Sequence, residues 1–298
     1  MAGNYRTVIK RFSDNYFSVT QLKHNVSSLR IDKENDFIGP PDNLHLLPLC
    51  HLDIRLIDER RATKGEEKFR ESLIRSRTKI FELAMCNDWD LFATFTIDPK
   101  KYNRYQLNDF YKAFSKFVNN FNSRKGTSIK YLLIPEMHED GAWHLHGLFM
   151  GLTRNWLRRF TLREKLPRYI RSKLWIGQRI YEWPHYRTRF GFCDLEPIRN
   201  KEACCKYIVK YITKDLGRSV SELGAKVYYC SQGLERPQVI YQGDDSERIA
   251  LPDHSNVWMD RKDFFTFAAA LEYSNIQFYD SFISAGLDEA TIEKILSA

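Results

Sequence analysis

The chain has 298 residues, of which 43% are hydrophobic and 28% charged, and it carries a formal net charge of +8 with a pI of about 9.1. No apolar run reaches the roughly 18 residues of a membrane span, the opening MAGNYRTVIKRFSDNYF lacks the apolar core of a signal peptide, and the phosphate loop G-x-x-x-x-G-K-[ST] is absent, which argues against a membrane protein, a secreted protein and a nucleotide-driven motor. The six cysteines contain no C-x-x-C pair, so a zinc finger is not expected and free thiols in a reducing cytoplasm are. The basic excess favours an anionic partner, of which nucleic acid is the usual one.

Residues 1–62 give weak, turn-rich signals. Over Lys64 to Met85, the spacing of Phe69, Leu73, Ile80, Phe81 and Leu83 predicts an amphipathic, highly charged helix. After Asp88 the pattern sharpens. LFATFTIDP alternates, with Leu91, Ala93, Phe95 and Ile97 on one face and Phe92, Thr94 and Thr96 on the other, so it reads as a strand stopped at Pro99. Leu107, Phe110, Tyr111, Phe114, Phe117, Val118 and Phe121 recur at three and four and predict a helix. IKYLLIPE and AWHLHGLFMGL read as two strands joined by the turn MHEDG. The order strand, helix, strand, strand predicts an α+β fold: an antiparallel sheet of about five strands with helices on one face, in a split βαβ arrangement. The C-terminal DFFTFAAALEYSNIQFYDSFISAGLDEATIEKIL reads as helical. The expected organisation is an N-terminal extension over 1–87, a main domain over 88–250 and a C-terminal helical segment over 251–298.

Two histidines flank a leucine in GAWHLHGLFM. Strand geometry turns His144 and His146 to the same side, about 7 Å apart, and Leu145 to the other. With the turn centred near Asp140, Glu136 falls opposite His144 on the same face, and a one-residue slip would reverse it. Glu139 and Asp140 are alternative ligands, while His138 reads as a loop residue. Two imidazoles and a carboxylate suit Mg²⁺ or Mn²⁺ completed by phosphate oxygens; zinc is compatible, and so is a half-buried sheet face without metal.

KEACCKYIVKYITKDLG, residues 201–217, reads as a helix that stops at Gly217. At about 100° per residue, Tyr207, Lys210, Tyr211 and Lys214 share one face, and Cys205, Ile208, Val209 and Ile212 the opposite one. A tyrosine oxygen can act as a nucleophile, and neighbouring lysines can hold a phosphate and stabilise developing charge. Boundary tyrosines with snorkelling lysines give the same pattern.

Taken in order, FATFTID, then HLH with an apolar run, then YIVKYITK, with YYCSQGLERP behind them, resemble the rolling-circle replication initiators of the His-hydrophobic-His endonuclease superfamily, most closely the two-tyrosine phage and plasmid type. The resemblance covers roughly residues 88–235 and implies a ferredoxin-like core. It also implies that His144 and His146, with Glu136, hold a divalent ion against a scissile phosphate of single-stranded origin DNA. Tyr207 or Tyr211 would then attack to give a 5′-phosphotyrosine link and a free 3′-OH, with Lys210 and Lys214 beside them. The 3′-OH would prime a host polymerase, and unwinding would fall to a host helicase in the cytoplasm.

The segment 153–175 holds eight basic residues and one acidic residue, interleaved with Trp156, Phe160, Tyr169 and Trp175. Arg154, Trp156, Arg158, Arg159, Arg163 and Lys165 are its candidate DNA contacts, since basic groups neutralise phosphates and aromatic rings stack on unpaired bases. A solvated basic helix face is the competing reading. Relaxases of the same superfamily usually place their tyrosine before the histidines and carry a third histidine, and small transposases of this kind have one tyrosine. A non-catalytic nucleic-acid-binding module on the same type of sheet is the alternative from another class.

Overall fold

The computed structural model describes residues 5–13, 16–23, 64–212, 226–245, 256–261, 264–270 and 290. In chain order the elements begin with β1 (Tyr5–Ser13), β2 (Tyr16–Lys23), α1 (Lys64–Cys86), β3 (Leu91–Thr96), α2 (Leu107–Lys125), β4 (Lys130–Met137) and β5 (Trp143–Met150). They continue with β6 (Arg158–Arg159), α3 (Arg168–Trp175), β7 (Tyr181–Glu182), α4 (Pro184–Arg189), β8 (Cys193–Pro197), α5 (Lys201–Val209), β9 (Tyr229–Cys230), β10 (Gln238–Asp245), β11 (Asn256–Arg261) and β12 (Phe264–Ala270). By its contacts the chain divides into two units, residues 61–235 and residues 1–60 with 236–298.

The 61–235 unit is built on a seven-stranded sheet in the order β6-β7-β8-β3-β5-β4-β9. Its core strands pair antiparallel, which establishes the α+β class with an antiparallel sheet. The sheet is wider than the five strands expected because β6, β7 and β9 have two residues each, too few to show a period. Helices lie on both faces rather than one. The alternation along β3 is complete, with Leu91, Ala93 and Phe95 buried and Phe92, Thr94 and Thr96 half-buried. On the first face α2 sets Phe114 against Phe95, Tyr131 and Phe149. On the second face the end of α5 sets Tyr207 against Phe92. Close packing of so many buried rings leaves little free volume. Gly147 illustrates this: a Cβ there would come within 2.4 Å of Leu133 Cδ2 and 2.9 Å of the Leu132 carbonyl oxygen. The glycine after the second histidine therefore lets β5 lie against β4 with Leu133 in the vacated space.

The 1–60 and 236–298 unit holds a five-stranded antiparallel sheet in the order β10-β1-β2-β12-β11. Its strands come from both ends of the chain. This corrects two expectations. The C-terminal segment is strand at 256–261 and 264–270, not helix, because pairing with β2 overrides a local pattern rich in alanine and phenylalanine. The boundaries at 87 and 250 also move: α1 belongs with the central unit, and the division after it falls at 235. The rest of the segment read as helical, apart from residue 290, lies outside the described residues.

Five cysteines, Cys86, Cys193, Cys204, Cys205 and Cys230, form no disulfide. Among the described residues no helix is long and apolar enough to cross a membrane.

Candidate active site

The site is assembled on the second face of the central sheet. The β4–β5 register pairs Glu136 with His144 and Ile134 with His146, the register that a turn near Asp140 gives. Gly141 closes that turn with φ 79, a conformation that glycine adopts without steric cost. Asp140 accepts from the Ala142 N–H at 3.0 Å and pairs with Arg104 at 3.0 Å, so it serves the turn.

On the other side, β3 pairs Thr96 with His144 and Thr94 with His146. Each hydroxyl lies 3.5 Å from the Nδ1 of its histidine. These are long contacts, but they turn both rings the same way and leave Nε2 as the outward nitrogen. For His146 that nitrogen lies 2.7 Å from Glu136 Oε2. The His138 ring, from the turn, lies 3.8 Å from the His144 ring between centroids, so the loop histidine is part of this cluster. Burial, followed by the neighbouring His138 and His146, pushes His144 down to about 4. His144 is therefore neutral near pH 7 with a free lone pair. The hydrogen bond with His146 holds Glu136 below the usual carboxylate range. Among the described residues no group of three or more His, Cys, Asp or Glu side chains is already gathered around one point as an ion site.

Helix α5 brings in the tyrosines. Asn200 caps it, accepting from the Ala203 N–H at 2.8 Å. The α-helix ends at Val209, and the chain continues through a tightened turn in which Lys210 N–H bonds to the Tyr207 carbonyl and Ile212 N–H to the Val209 carbonyl. Cys205, Ile208, Val209 and Ile212 are buried, as the helical wheel requires. From α1, Arg77 donates to the Ile212 carbonyl through Nε at 2.9 Å and Nη2 at 2.5 Å. This guanidinium holds the end of the tyrosine segment, a role with no sequence signal.

The Tyr211 ring stacks on His146 at 4.0 Å with planes 10° apart, and Tyr207 meets Phe92 edge-on at 5.4 Å. The Tyr211 hydroxyl donates to the Tyr207 hydroxyl at 2.8 Å. Lys210 Nζ stands 3.6 Å above the Tyr207 ring and 5.4 Å from that of Tyr211. The two tyrosines differ in surroundings. Tyr207 is 43% exposed. Tyr211 is more enclosed, and burial, its bond to Tyr207 and the nearby Glu136 and Asp194 carboxylates raise it well above the ordinary tyrosine value. Tyr207, Tyr211, Lys210, His144, His146 and Glu136 are thus brought to one place, whereas Lys214 lies outside the described residues.

One neighbour was not foreseen. Asp194 on β8 stands opposite Thr94, which stands opposite His146. Asp194 is buried and accepts from the Tyr169 hydroxyl at 2.7 Å. Burial pushes its carboxyl up to about 6. Its signal was the alternation Cys193, Asp194, Leu195, Glu196, too short to stand out.

The candidate DNA contacts separate into two groups. Arg154, Arg159, Arg163 and Lys165 are exposed or half-buried at the surface. Trp156 packs edge-on against Phe121 at 5.2 Å with Lys125 over its ring, and Arg158 is engaged by Glu182 and Glu164. These two are occupied by the fold itself.

Residues 90–216, fewer than half of the 298, match the family model for the replication-associated protein of the ORF2 type. The matched span contains the histidine strand and both tyrosines, and the match supports a role in starting DNA replication. No curated protein and no solved structure matches the chain.

Proposed function

We propose that this protein nicks and rejoins single-stranded DNA at a replication origin, with a divalent ion at His144, His146 and Glu136 and a tyrosine as nucleophile, so as to start and end rolling-circle replication. The observation that carries this reading is the contact of the Tyr211 ring with His146 while its hydroxyl bonds to that of Tyr207. A nucleophile pair and a ligand set on adjacent elements is what phosphoryl transfer to a protein oxygen requires.

The donor set fits a hard divalent cation. Two imidazoles, each with Nδ1 turned to a threonine hydroxyl, and one ionised carboxylate leave room for phosphate oxygens. When bound, the ion supplies Lewis-acid polarisation of the scissile phosphate.

Tyr207 is the first nucleophile in this scheme. Its oxygen accepts the Tyr211 hydroxyl proton in a hydrogen bond, and a lysine ammonium sits over its ring, both of which stabilise a phenolate there. Burial and two carboxylates disfavour the phenolate at Tyr211. The Tyr207 oxygen attacks phosphorus, the P–O3′ bond breaks, the 3′ oxygen takes a proton to become the 3′-OH, and the Tyr207 proton is released to solvent. The 5′ phosphate remains as a tyrosine diester, which conserves the bond for rejoining, and Tyr211 serves the second transfer. The 3′-OH primes a host polymerase, with unwinding supplied by a host helicase.

The test is incubation of an end-labelled single-stranded DNA pool with the protein and Mn²⁺ or Mg²⁺, followed by boiling in detergent. A protein-linked label that depends on metal supports the reading; binding without any linked label leaves a nucleic-acid-binding module.

A further inference from the structure

Helix α3 is fixed on the same sheet face as the histidine pair. Ile170 and Leu174 point into a small core with Phe160, Ile180, Phe192 and Leu166. The Tyr169 hydroxyl bonds to Asp194, and Lys173 is ion-paired with Glu196 on the same strand. Asp194 is two strands from His146, a separation of about 10 Å.

The end of α3 is closed by backbone bonds. Gly177, with φ 79, donates its N–H to the Leu174 carbonyl at 3.0 Å, and the Gln178 N–H reaches the Lys173 carbonyl at 3.0 Å. This is the Schellman arrangement, and it makes the tip rigid. Two apolar side chains on that tip have no core role: Trp175 is 80% exposed and Ile176 71%. Trp175 shares its outward face with Arg168 and Arg171, at spacings of seven and four. Both arginines are exposed and make no ion pair among the described residues.

A large exposed aromatic marks a binding surface more often than a scattered aliphatic residue does. The charge around it selects the partner. Uncompensated guanidinium groups beside an indole match a polyanion with accessible π-faces, which is single-stranded nucleic acid. A rigid tip also lowers the ordering cost of such a contact.

We infer that Trp175 is a stacking post for an unpaired base of the single-stranded DNA, with Arg168 and Arg171 on the adjoining phosphates, holding the strand at a set distance from the tyrosines. This rests on the proposed nicking function and adds a subsite to it.

The test uses the full chain and a fluorescein-labelled single-stranded oligonucleotide, with affinity read by anisotropy over a range of salt and covalent linkage read in parallel with Mn²⁺. Trp175→Ala should weaken binding by about 5- to 150-fold, and Trp175→Phe should recover most of it. Arg168→Ala with Arg171→Ala should lessen the slope of log K against log salt by about 1.4, at about 0.7 per phosphate contact. Unchanged affinity in a folded Trp175→Ala protein, while the parent chain still links DNA, would overturn this inference alone and assign the tip to a protein partner. Failure of the parent chain to bind or link single-stranded DNA would overturn the nicking function and this subsite together.

Discussion

The Tyr211 ring lies flat on the His146 ring, 4.0 Å away, and its hydroxyl bonds to Tyr207. One side chain therefore touches both the ligand strand and the more exposed tyrosine. This makes the two tyrosines unequal. Tyr207→Phe should abolish the first cleavage, whereas Tyr211→Phe, which removes one hydrogen bond to the attacking oxygen, should slow it by about tenfold. Single-turnover rates of linkage for each variant check this, and equal rates would remove the assigned order.

The Lys210 ammonium over the Tyr207 ring predicts a separate effect. Lys210→Met keeps most of the side-chain bulk and removes the cation. Linkage should slow by about 3- to 30-fold, the range of a cation–π contact at a partly exposed site. Lys210→Arg should keep most of the rate.

Thr94 and Thr96 face the Nδ1 atoms of the two histidines. Replacing either with valine preserves shape and removes the hydroxyl. Outer partners of ligating histidines typically contribute about 10- to 100-fold in metal affinity. The Mn²⁺ concentration for half-maximal linkage should rise by that order, with little change in the rate at saturating metal. A fall in saturated rate with no change in metal demand would contradict the role.

Asp194 predicts a pH dependence of stability. Its folded carboxyl, raised to about 6 by burial, keeps its proton to higher pH than the unfolded chain, whose value is 3.8. The contribution is full below about pH 4 and is lost as pH rises through about 6, by about 3 kcal/mol at most. Urea unfolding of the parent chain and Asp194→Asn between about pH 4 and 7 checks this. The parent should lose stability relative to the variant as pH rises, and a constant difference would show that the carboxyl does not titrate there.

The sequence made the centre of the fold legible and its edges opaque. The β3 alternation, the α2 phenylalanine stripe and the Glu136–His144 register follow from local periods of about two and 3.6 and from one turn. The pairing of β1 with β10 joins the first strand to one near the far end of the chain, Tyr5 to Asp245, and no local pattern encodes such a contact. In β11 and β12 the local preference and the observed pairing disagree. The histidines and tyrosines stood out because their spacing is matched to strand and helix. Arg77, Asp194 and His138 did not, because each reaches the site from another part of the chain or from a turn.

A tyrosine nucleophile beside a metal-binding histidine pair can be read directly by mass spectrometry of the peptide that carries DNA after linkage, nuclease digestion and proteolysis. The expected product is a nucleotide attached through a 5′ phosphate to Tyr207 after a first cleavage, found only with Mn²⁺ or Mg²⁺ and lost in His144→Ala. A modified residue elsewhere in the chain, or no modified peptide from DNA that the protein has bound and cut, would contradict it.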